Sequence, residues 1–119
     1  MKQVSTFRYE VEKDEVVSIV ATPHGCNGTV TAAEGGQAIP PFLPSPPTFK
    51  LAINRPVGKK HRVFLRVDFL PDDEPDASVV ISLSGSKGGG AFQGDTLDRP
   101  DAGDPDQYDE MGFQFKVVV

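Results

Sequence analysis

Tryptophan is missing from this 119-residue chain, tyrosine occurs twice, and cysteine occurs once. The single cysteine, Cys26, excludes an intramolecular disulfide and leans the expectation toward a reducing, cytoplasmic setting. Histidine is almost as scarce, with only His24 and His61, so nitrogen and sulfur ligands are too few for a four-ligand structural zinc site. No apolar run approaches the roughly 18 residues of a membrane helix. The first ten residues also lack the apolar stretch of a secretory leader. Neither a membrane nor nucleic acid is an expected partner, since a net charge of −5 disfavours a phosphate backbone. Helical periodicity with a cap at each end is absent as well.

Glycine and proline, by contrast, are frequent at 12 and 11 residues, and they punctuate short alternating stretches. Hydrophobic residues at 38% against charged residues at 24% describe a chain that can bury a core. Its length is that of one domain, 1–119. Residues 62–69 are the clearest segment. Val63, Leu65, Val67 and Phe69 fall on one side of an extended backbone, and Arg62, Arg66 and Asp68 fall on the other, with Phe64 among them. Similar β-type stretches occur over 4–12, 15–21, 28–33, 48–54, 77–84 and 111–119. The pattern predicts an all-β, two-layer antiparallel β-sandwich of about seven or eight strands, with immunoglobulin-like and jelly-roll topologies both open. Lys13-Asp14 reads as a tight hairpin turn between the first two strands. The proline-rich 39–47 reads as a stiff connection or sheet edge, with Phe42 and Leu43 as plugs onto the core. Residues 91–94 read as a short strand or plug around Phe92, and 95–110 as one long loop.

Charge is segregated along the chain. Between Lys50 and Arg66 every charged residue is basic, whereas twelve acids lie between Asp68 and Glu110 with only Lys87 and Arg99 opposing them. Such polarity steers a protein partner or a second copy of the chain. Lys59, Lys60 and Arg62 form a compact basic candidate patch at a strand entrance. Asp101, Asp104, Asp106 and Tyr108 are the acidic counterparts, in the loop over 98–110. Calcium needs six to eight hard oxygens on a flexible backbone, and Asp101, Asp104, Asp106 and Asp109 are the ligands such an ion would take here. No other cofactor is expected.

Catalytic motifs are fragmentary. His24-Gly25-Cys26 places an imidazole near a thiol without an orienting third group, and Ser84-Gly-Ser-Lys87 precedes a glycine run unsuited to the helix that such a serine–lysine pair requires. The sequence therefore predicts a non-catalytic protein-interaction or assembly module. The alternative is a carbohydrate-binding module, calcium-dependent through 98–110, with Tyr108 as its aromatic platform.

Overall fold

The computed structural model describes residues 5–86 and 95–118. Lys87 of the serine–lysine motif, Gly88–Gly90 and the 91–94 segment lie outside the described residues, as do Val4 and Val119 at the ends of the outermost expected strands. The architecture is all-β, with two five-stranded sheets packed face to face. One sheet has the order β1 (Ser5–Val11), β10 (Tyr108–Val117), β7 (Lys60–Asp68), β3 (Thr29–Glu34) and β4 (Gln37–Ile39). The other has the order β5 (Leu43–Pro44), β6 (Pro47–Ala52), β2 (Val16–His24), β8 (Ser78–Gly85) and β9 (Thr96–Asp98). Placing β2 beside β6, and β7 between β3 and β10, reproduces the B–E and C–F–G neighbours of the immunoglobulin-like plan.

The alternation read from the sequence builds the core. Val63, Leu65 and Val67 of β7 are fully buried, and they meet Val17, Ile19 and Ala21 of β2, Val79 and Ile81 of β8, and Phe113 and Phe115 of β10 in one cluster. Tyr9, Phe113 and Phe115 stack with ring centroids about 6 Å apart.

Four expectations require correction. Ten strands replace seven or eight, because β4, β5 and β9 span only two or three residues, too few for alternation to register. One of them, β9, and the start of β10 fall inside the stretch read as a single loop over 95–110. Lys13-Asp14 does not close a hairpin. β1 and β2 belong to opposite sheets, and β1 instead pairs with β10 in parallel, the one exception to antiparallel pairing. Phe7, Tyr9 and Val11 on β1 and Val17, Ile19 and Ala21 on β2 face the same core from opposite layers, so alternation cannot tell a hairpin from a sheet-to-sheet corner. That corner is fixed by Asp14 at φ 65°, by the Asp14 amide donating to Ile53 O at 2.8 Å, and by the buried Glu15 carboxylate accepting from the Glu12 amide at 2.9 Å. Finally, Phe42 and Leu43 are exposed rather than plugged inward. The Phe42 ring lies under the Lys50 ammonium on the outer side of the second sheet.

Leu65→Ala is expected to cost about 2–5 kcal/mol. Gly28→Ala, which drives a Cβ into the Asp68 carbonyl where β3 meets β7, is expected to cost about 1–3 kcal/mol. Urea denaturation of the two variants checks both.

Candidate functional site

β7 is nine residues long, so its ends lie roughly 26 Å apart at 3.3 Å per residue. The candidate residues fall at both ends. Lys59, Lys60 and Arg62 stand at its start, while Tyr108 pairs with Asp68 at its far end, beside Asp101, Asp104 and Asp106. The structure therefore does not assemble them into one site.

At the acidic end the chain is organised from within. Asp73, only 5% exposed, accepts amide bonds from Asn27 at 2.7 Å and Leu70 at 2.8 Å. Burial pulls its carboxyl upward, but those two amides, the Cys26 thiol and the nearby Arg99 charge outweigh burial and hold it below the ordinary carboxylate range. Arg99 spans the loops, donating to Asp73 O, Glu74 O and Gln107 Oε1. Gln107 in turn donates to Asp101 O and Asp104 O, each at 3.0 Å. Two of the four carboxylates named as metal ligands, those of Asp104 and Asp109, bond backbone amides of their own segment. Asp104 caps the Asp106 amide at 2.9 Å, and Asp109 accepts from the Asp98 and Glu110 amides at 3.0 Å each. Among the described residues no group of three or more His, Cys, Asp or Glu side chains gathers as a metal-holding set. Over Tyr108, the Arg66 guanidinium sits 3.9 Å from the ring centroid while bonding Asp68 at 2.8 Å, so one face of that ring is covered.

Neither histidine pairs with the cysteine in the manner of a nucleophile and base. His24 is exposed, whereas burial pushes the half-buried Cys26 thiol up, against the Gly28 amide and with the help of the Asp73 carboxylate. His61 occupies an inward position of β7 and is 3% exposed, with Nδ1 2.5 Å from Glu34 Oε2.

The other end, and the outward face of the first sheet, differ in character. Lys60 and Arg62 share that face with Arg8 and Lys116, lining a shallow groove in which four cations oppose one carboxylate, Glu10. Strand register sets the rows. Lys116 lies opposite Lys60 and Gln114 opposite Arg62, with Arg8 beside Gln114 on the far edge. One row further, Phe64 lies between Ala33 and Gly112, and Thr6 follows. The Phe64 ring is 46% exposed. Gly112 leaves room beside it, since a Cβ there would stand 3.1 Å from Phe64 Cε1 and the ring would have to shift slightly. Arg8, Phe64, Gly112, Gln114 and Lys116 were not singled out from the sequence, although Phe64 on the polar side of β7 was the available signal.

Comparison with protein-family models, curated proteins and solved structures gives no match. No helix among the described residues is long and apolar enough to cross a membrane.

Two measurements test this account. Asp73→Ala is expected to cost about 1–3 kcal/mol by stranding two amides. Because the folded carboxyl is depressed, its contribution is complete above the unfolded value near pH 4 and is lost as pH falls through the lower folded value. The stability gap between the two proteins therefore narrows only in acid, below about pH 4. Cys26 is expected to react with a disulfide reagent at neutral pH more slowly than a free cysteine, with unfolding in urea restoring the ordinary rate.

Proposed function

We propose that this chain is a non-catalytic protein-interaction module whose binding face is the outer side of the β1–β10–β7–β3 layer. The observation that carries the reading is Phe64, a large apolar ring left 46% exposed in a row of small neighbours and framed by Arg62 and Arg66 along its own strand. An exposed aromatic ringed by arginines has the composition of an interface centre rather than of ordinary sheet surface. The partner it suits is an acidic segment carrying an apolar or aromatic side chain to cover the ring. The cations steer its approach, and burial of the ring slows its departure.

The carbohydrate-binding reading centred on Tyr108 has less support, because Arg66 covers one face of that ring and the Asp104 and Asp109 carboxylates are engaged by backbone amides.

Selection from a randomised peptide library provides the probe. Recovered peptides are expected to be acidic and to include an aromatic or leucine. Phe64→Ala is expected to weaken their binding by about 10–30-fold, and Arg62→Glu to slow association most strongly at low salt. Peptides that bind both variants as well as the parent protein would overturn the reading.

A further inference from the structure

The first strand presents a feature separate from the sheet face. Sheet edges are templates for pairing, and proteins protect them with shortness or proline. β4 and β9 have three residues each, and β5 is Leu43–Pro44. β1 has seven residues and no proline, and among the described residues no strand pairs with its outer side. The hydrogen-bond phase is fixed by the Val118 amide, which donates to Val11 O at 2.9 Å. Val11, Tyr9 and Phe7 thus direct their backbone groups toward β10. Alternation along the strand then turns the N–H and C=O of Thr6, Arg8 and Glu10 outward.

We propose that β1 is a self-association edge, pairing antiparallel with β1 of a second copy about a two-fold axis through Tyr9. An isologous contact of this kind closes at two copies. In this register Arg8 faces Glu10 of the second copy and Glu10 faces its Arg8, so opposite charges meet on both sides of the axis. Phe7 then faces Val11 on the core side. The backbone phase agrees. The two Arg8–Glu10 pairs fall where both amide bonds are exchanged, and Tyr9 meets its symmetry mate at a non-bonded position. Moving the axis to Arg8 sets arginine against arginine, and moving it to Glu10 sets glutamate against glutamate. Shifting by one residue turns the outer faces of the two copies to opposite sides. Of these registers, only the one centred on Tyr9 satisfies charge, phase and face together.

Such a dimer merges two five-stranded layers into one of ten. The two Phe64 rings then lie on one side, five strand spacings (roughly 24 Å) apart across the strands and six residues (roughly 20 Å) apart along them, or roughly 31 Å in all. A partner with two acidic segments would engage both copies at once.

Sedimentation velocity of the chain from about 5 to 500 µM tests the proposal, because a small edge contact predicts dissociation in the micromolar range. The expected result is a concentration-dependent dimer that Arg8→Pro abolishes, since proline removes an outward N–H without touching the β10 ladder. Glu10→Arg is expected to weaken the dimer at least tenfold, and the double exchange Arg8→Glu with Glu10→Arg to restore it. If Arg8→Pro fails to fold by circular dichroism, the charge pair decides alone. A monomer at all concentrations, a dimer indifferent to these changes, or no restoration by the double exchange would overturn the proposal. None of these results bears on peptide binding by Phe64 and Arg62, which the library experiment reads separately.

Discussion

The fold and its displayed surface both depend on β7 keeping a strict two-residue alternation between opposite media. Val63, Leu65 and Val67 are sealed in the core, while Lys60, Arg62, Phe64 and Arg66 stand in solvent. The apolar set is non-negotiable, because turning it outward by a one-residue slip would exchange the whole strand face. That constraint fixes the position of every outward residue. The neighbouring β10 and β3 are then registered against it, and the small residues Gly112 and Ala33 fall beside Phe64.

This division explains what the sequence could reveal. Strong alternation made β2, β7, β8 and β10 legible, along with the two-layer architecture. The parallel union of β1 and β10 was not legible, because it joins residues more than a hundred positions apart and leaves no local mark. The same holds for the candidate face. Lys60 and Arg62 stand out as part of a local cluster, but Arg8 and Lys116 are single charges in their own strands and become neighbours only through register. His61 is a different case. It sits among charged residues in sequence, yet it falls on the inward phase and is satisfied on one side by Glu34.

The acidic end shows why carboxylate counts overstate ligand capacity. A loop rich in proline and glycine leaves many amides unpaired by strands, and aspartate is the shortest side chain able to satisfy them. Asp73, Asp104 and Asp109 each accept backbone amides, and Arg99 and Gln107 tie the loops together through carbonyl oxygens. Charge is thereby separated along β7, with the loop carboxylates at one end and the Lys60, Arg62, Arg8 and Lys116 group toward the other. Opposite charges therefore gather at opposite ends of the same strand.

The parallel pairing of β1 with β10 also has a mechanical meaning. Ser5 lies beside Met111 and Val11 beside Val117, so the two strands point the same way. A force applied to the start of β1 and the end of β10 would pull them past each other lengthwise. A hairpin under load peels open one hydrogen bond after another, but a ladder loaded in this direction shares the force across its length and yields all together. The amide of Val118 on Val11 and that of Gly58 on Val117 brace the ladder at its trailing end. The parallel pairing therefore meets lengthwise load in shear rather than by peeling.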